Sequence, residues 1–242
     1  MNILLTNDDG YDAPGLHAAF EAVRHLGTVH VVAPVTERSS CGHGITTGRP
    51  ITVRPIAHEH FGTVHAVDGT PADCVRIAHG NLLSTPADLV LSGVNRGANA
   101  GVDVYYSGTV AGAREAALLG HRAVAVSQAT RLGIQPDWPA VTAITRAIID
   151  ELLHETLPGP GFWSVNYPAP LPSEPHKHVR RVPIAEQAWP IHFERLESAG
   201  EYSMQFQYSV PYWQREVAED SDFTVIRDGG IAVSAVPLFC RF

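Results

Sequence analysis

The chain has 242 residues, 25 acidic side chains against 17 lysines and arginines, and a formal charge of −8, a balance that excludes a general nucleic-acid binder. Apolar residues make up 45% and charged ones 17%, which excludes a disordered chain and suits one large α/β domain, with or without an appended arm. Lys177 is the sole lysine, so neither a Gly-Lys-Ser/Thr phosphate loop nor Schiff-base chemistry is expected.

In chain order, "NILLT" (2–6) reads as a buried strand and "GLHAAFEAVRHLG" (15–27) as a helix with Leu16, Phe20, Val23 and Leu26 at helical spacing. "VHVVAP" (29–34) is the second strand, and "ITVRPI" (51–56) with "TVHAVDG" (63–69) a strand pair. "TPADCVRIAHG" (70–80) carries helix-start signals: Thr70 as N-cap, Pro71 at N1, Asp73 as its reciprocal partner at N3, and Gly80 as the stop. Then come a strand at 87–93, a helix at 109–120, a strand at 122–128 and a helix at 138–154 with Val141, Ile144, Ile148 and Leu152 on one stripe. A strand at 161–168 ends the alternation.

Continuous apolar strands alternating with helices predict a doubly wound, mainly parallel, three-layer α/β sheet of Rossmann-like type. "YPAPLPSEPHKH" (167–178) is a Pro-rich connector, "MQFQYSVPYW" (204–213) supplies strands for a β-rich arm, and "DGGIAVSAVPLF" (228–239) can return a strand to the body. The expected organisation is a catalytic core over 1–166, a connector and oligomerisation arm over 167–218, and a returning segment over 219–242. Cys41, Cys74 and Cys240 are widely spaced, without a C-x-x-C pair, as in a reducing compartment. No signal-peptide pattern and no run of about 18 apolar residues is found, so a cytoplasmic location and no membrane partner are expected.

Ligands of a doubly wound sheet bind outside the carboxyl ends of its strands. Asn7, Asp8, Asp9 and Gly10 follow the first strand; Arg38, Ser39, Ser40 and His43 follow the second. Asn95, Arg96 and Asn99 follow the strand at 87–93, and Ser107-Gly108-Thr109 opens the next helix. Adjacent carboxylates repel, and a divalent cation between them removes that cost. Two carboxylates among hydroxyl and amide oxygens form a hard site for magnesium, manganese or calcium. A helix N-terminus beside it suits an anion. Metal plus anion cradle reads as phosphomonoester hydrolysis, in which either Asp8 or Asp9 holds or deprotonates the attacking water.

The stretches "ILLTNDDGYDAPGL", "VVAPVTERSSCGHGIT", "VDGTPADCV", "DLVLSGVNRGANAG" and "YYSGTVAGAREAALLG", with looser "WSVNYP" and "VSAVPL", resemble the SurE (stationary-phase survival protein E) nucleotidases from end to end. The resemblance implies an α/β cytoplasmic phosphatase needing manganese or magnesium. It implies action on nucleoside 5′- and 3′-monophosphates, with short polyphosphate a further substrate class, and dimers or tetramers built partly through exchanged C-terminal segments. Carried over by position, the metal ligands fall on Asp8, Asp9, Ser39 and Asn95, and the phosphate-side loop on Ser107, Gly108 and Thr109. Ser40 and Cys41 depart from small or Gly residues, Ile231-Ala232 from a Gly–aromatic pair, and Val236 from Thr.

Other readings of single residues stand beside these. His43 is an acid or anion binder, or a solvated loop side chain; Arg38 and Arg96 meet a substrate phosphate or offset nearby acids. The histidines at 58, 60, 65, 176 and 178 lack i, i+4 spacing and are expected on the surface. Trp189, Tyr208, Tyr212 and Trp213 stack on a base or, by preference, pack on a partner subunit. A non-catalytic nucleotide-binding module and an aspartyl-phosphate phosphatase are the rival functions.

Overall fold

The structure, a computed structural model, describes residues 1–196, 204–209 and 212–239. Cys240 and part of the expected arm (197–203, 210 and 211) lie outside the described residues. Along the chain run β1 (Asn2–Thr6), α1 (Pro14–Val23), β2 (Thr28–Pro34), β3 (Val53–His58), β4 (Gly62–Val67), α2 (Pro71–Ile77), β5 (Leu89–Arg96) and α3 (Gly108–Leu118). There follow β6 (Ala123–Gln128), α4 (Trp138–Leu152), β7 (Gly161–Tyr167), β8 (Val179–Arg181), β9 (Phe193–Leu196), β10 (Gln205–Tyr208), α5 (Asp222–Arg227) and β11 (Ile231–Pro237).

Nine strands form one sheet in the order β3-β4-β2-β1-β5-β6-β7-β11-β8. The six from β4 to β7 are mutually parallel, with β3 antiparallel on one edge and β11 antiparallel against β7. The chain winds outward from β1 through β2 to β4, then restarts on the other side of β1 with β5, β6 and β7. The switch point therefore falls between β1 and β5, where a ligand crevice opens. The doubly wound α/β reading is what the structure shows, and the β-rich arm is the two-stranded β9–β10 sheet.

The central strands are fixed by burial. Every residue of β6 is buried, as are six of the eight residues of β5, and each large apolar side chain so covered contributes about 1.5–3 kcal/mol. Leu16, Ala19 and Val23 of α1 and Val141, Ile144, Ile148 and Leu152 of α4 cover one face; Cys74 and Val75 of α2 and Val110, Ala113 and Ala116 of α3 cover the other. The capping box of α2 forms as the sequence predicts: Thr70 Oγ1 accepts from the Asp73 N–H at 3.1 Å, and Asp73 Oδ2 accepts from the Thr70 N–H at 2.9 Å.

Several boundaries move; the strand read as 87–93, for one, is Leu89–Arg96 and so includes Asn95 and Arg96. The helix read as 15–27 ends at Val23 and tightens into a 3-10 turn over Arg24–Leu26. The strand read as 51–56 lies at 53–58, on the sheet edge where half-exposed residues give no strong apolar run. The helix placed at Thr109 starts at Gly108, because Ser107 caps it. Among the described residues no helix is long and apolar enough to cross a membrane.

Candidate active site

β1 delivers Asn7, Asp8 and Asp9 to the switch point. Asn7 Nδ2 donates to the Gly10 carbonyl at 2.8 Å, and Gly10 sits at φ +105°, where a side chain would strain the turn. The two acids then part company. Asp8 is 3% exposed and its Oδ1 accepts the Thr109 hydroxyl, while Asp9 is half-buried and its Oδ2 accepts the Arg96 N–H at 3.0 Å. The Asp8 carbonyl also accepts the Arg38 N–H at 2.7 Å, which ties the loop after β2 to the acid pair.

Burial is the main influence on both carboxyls. It pushes Asp8 up to about 6, against the Thr109 hydrogen bond and with help from the Asp9 charge. Asp9 is raised too, by burial first and by the nearby Glu37, against the Arg96 backbone. An acid pair so placed is uncomfortable when ionised and unpartnered.

Two clefts meet at the pair. Asp8, Ser39, Asn95, Arg96, Asn99 and Ser107 line one of about 190 Å³; Asp9, Glu37, Ser39, Arg96, Gln135 and Trp138 line a neighbour of about 820 Å³. Ser39 and Arg96 belong to both. Asn95 Nδ2 is committed to the Gly97 carbonyl at 2.7 Å, so Oδ1 is the atom this side chain offers a cation. Ser39 is exposed, and its Oγ donates to Glu37 Oε1 at 2.6 Å. Ser107 accepts the Val110 N–H at 3.1 Å as N-cap of α3. Gly108 is dictated by close approach: a Cβ there would lie 2.9 Å from Asp8 Oδ2 and 3.0 Å from Cys41 Sγ.

Other candidate side chains are committed to neighbours within the chain. Thr109 gives its hydroxyl to Asp8, so its side chain positions an acid while its backbone stays at the helix N-terminus. His43 lines neither cleft; its Nε2 lies 2.7 Å from Oε2 of Glu115, a buried carboxylate that Arg76 also meets at 2.7 Å. A buried carboxylate demands partners, and His43 supplies one. Arg38 offsets an acid, pairing with Asp68 at 3.1 Å. His58 is not a surface residue, its side chain being only 10% exposed beside His17 and His60.

Two of the arm's aromatic residues lie at the site. Trp189 and Tyr212 fold onto their own chain and wall the Asp8 cleft beside Tyr106. Buried Asp103 anchors them: it accepts from Trp189 Nε1 at 2.5 Å and the Tyr212 hydroxyl at 2.7 Å, and pairs with both terminal nitrogens of Arg215 at 3.1 Å. The Arg215 guanidinium lies 4.0 Å from the Tyr212 ring centre and 4.4 Å from that of Trp189. Sequence reasoning missed Glu37, Asp103 and Arg215. A hint lay in the polar–aromatic run Tyr212-Trp213-Gln214-Arg215, dense for an exposed arm.

The donor set is all oxygen: two carboxylates, the Ser39 hydroxyl and the Asn95 amide. Hard divalent cations fit it, and one would relieve the buried acid pair. Fold and site together define a doubly wound α/β protein with an acidic, oxygen-lined, aromatic-walled cleft at the switch point of its sheet.

The particular family follows from comparison. The family described as Survival protein SurE matches residues 3–190, and the chain belongs to it. Proteins named 5′-nucleotidase SurE are similar: one from Nitratidesulfovibrio vulgaris is 39% identical over 237 residues, covering 97% of this chain and 92% of the relative. One from Rhodopirellula baltica is 38% identical over 239 residues, covering 97% and 91%. The crystal structure of the SurE protein from Aquifex aeolicus superposes with a TM-score of 0.83 at 32% identity, covering all of this chain and 95% of that one.

Proposed function

We propose that this SurE-family chain is a phosphoric monoester hydrolase that releases phosphate from nucleoside 5′-monophosphates, and from 3′-monophosphates, with a bound manganese or magnesium ion. The observation that carries this reading is Asp8, a buried carboxylate beside a second acid, in a cleft that also contains Ser39, Asn95 and Ser107. The names of the similar proteins support the substrate class.

Asp8, Asp9, Ser39 and Asn95 would hold the cation. Bound there, it supplies positive charge to the phosphoryl oxygens and makes water a better nucleophile. The chain's own groups do the rest. The N-terminus of α3 at Ser107 and Gly108 faces the substrate anion with its dipole. Arg96, exposed and shared by both clefts, meets the phosphate. One aspartate takes the proton of the attacking water. Tyr106, Trp189 and Tyr212 give the nucleoside an aromatic wall. The proposed organisation has a core over 1–166, an arm over 167–218 that joins subunits into a dimer or tetramer, and a segment over 219–242; the enzyme works in the cytoplasm.

The test is phosphate release from a panel of nucleoside monophosphates after exhaustive chelation, then with manganese or magnesium restored. Release that depends on added metal, and falls at least about 10²-fold in Asp8→Asn, is the expected result. Nucleotide binding without release under any metal would instead favour a binding module.

A further inference from the structure

We propose a second metal site, built from Asp12, His17 and His58 and suited to a zinc-class transition cation. Its ligands are distinct from those of the oxygen-lined site, although Asp12 lines the larger cleft together with Asp9, and it does not depend on the proposed activity. Asp12 lies in the loop that carries Asp9, His17 in the first turns of α1, and His58 at the end of β3, so three segments converge. Their ligand atoms all lie within 4.8 Å of one another. Asp12 Oδ1 is 3.2 Å from His58 Nε2 and 3.7 Å from His17 Nε2. With zinc–nitrogen and zinc–oxygen bonds near 2.0–2.1 Å, the corners of a tetrahedral site are about 3.3 Å apart, so the two Asp12 spacings need little adjustment.

The surroundings point to a ligand. His17 Nε2 is shut off from solvent and has no hydrogen-bond partner. A buried ring nitrogen left so is the atom a cation would satisfy. Phe61 backs both rings, stacked on His58 with centres 4.3 Å apart and edge-on to His17 at 5.0 Å, which keeps water from that side. His60 stands next in line, its ring centre 4.9 Å from His17, leaving the fourth position to it or to water.

In the metal-free form His58 Nδ1 accepts the His60 N–H at 3.3 Å, so its Nε2 carries the proton shared with Asp12. A cation at Nε2 moves the ring proton to Nδ1, and that 3.3 Å contact is given up. Two imidazoles and one carboxylate favour zinc or cobalt over magnesium, which prefers oxygen alone. Occupied, the site would clamp the β3–β4 hairpin to the loop that presents Asp9.

The experiment counts metal on the tag-free full chain after chelation and dialysis against zinc, with cobalt(II) as the spectroscopic probe. Asp8→Asn combined with Asp9→Asn disables the oxygen site; that variant should still retain one zinc per chain and give visible cobalt bands of tetrahedral intensity. Adding His17→Gln and His58→Gln should remove both signals. The His17→Gln/His58→Gln pair alone should bind one zinc fewer than wild type and keep manganese-dependent phosphate release, with circular dichroism confirming the fold. Absence of stoichiometric zinc from the double-Asn variant, or zinc retained after both histidines are lost, would overturn the proposal.

Discussion

Thr109 donates its hydroxyl proton to Oδ1 of Asp8, joining the first turn of α3 to the end of β1 across 101 positions of sequence. This bond favours the ionised carboxylate against the burial that opposes it. Thr109→Val keeps the shape and deletes the donor. Phosphate release at saturating metal should fall about 10–100-fold, as when a group orienting a metal ligand is removed. An unchanged rate with unchanged metal affinity would show that the bond serves packing alone.

The acid pair makes the metal-free protein pH-sensitive. Folded Asp8 keeps its proton up to about pH 6, whereas the ordinary value is 3.8. Between those values the folded state binds more protons than the unfolded one, so stability falls as pH rises from about 4 through 6. The loss is about 3 kcal/mol at most. Chemical denaturation of the chelated protein across that window should follow this slope, and Asp8→Asn should flatten it. Manganese binds the ionised carboxylates, so the stabilisation it gives should grow with pH over the same range.

The Asp103–Arg215 pair is almost fully buried, 6% and 5% exposed at the side chains. Asp103→Asn strands the guanidinium, and Arg215→Met strands the carboxylate. Each single change should cost about 3–5 kcal/mol, and the double variant should lose less than the sum. Thermal melts of the four proteins give the coupling directly. Additive losses would mean that the aromatic wall is held by packing and not by charge.

One face of the β9–β10 arm carries Phe193, Phe206 and Tyr208, all exposed, with Phe193 directly opposite Tyr208. Exposed aromatics on a two-stranded arm seek cover. Phe193→Ser with Phe206→Ser should lower the mass of the assembly in light scattering while leaving the core's melting point within a few degrees. The same mass for variant and parent would remove this face from the proposed subunit contact.

Much of this molecule can be read along the chain, for definite physical reasons. Strands buried on both faces are continuous apolar runs, and Thr70, Pro71 and Asp73 spell a helix start within four residues. Asp8, Asp9, Asn95 and Ser107 could be gathered because strand ends on one edge of a parallel sheet share a crevice. Where sequence failed, the partners were distant or the element short. Asp103 meets Arg215 over 112 positions, and Glu115 meets His43 over 72 and Arg76 over 39. α5 is only six residues long, too short to show helical periodicity, although Ser221 caps it through the Thr224 N–H. His17, His58 and His60 come from a helix and a hairpin, so no single period could align them.

The position of β1 has a consequence for biosynthesis. Of the described strands, β1 precedes the others in the chain yet lies inside the sheet, with β2 on one edge and β5 on the other. Until Leu89–Arg96 has been made, the edge of Ile3–Thr6 that will receive β5 stands open, an apolar template for any passing strand. The acids at its tip emerge equally early, and Trp189 and Tyr212 of the aromatic wall come much later. The nascent protein thus exposes its acid pair before the partners of that pair are made, and its most aggregation-prone interval falls between the synthesis of β2 and that of β5.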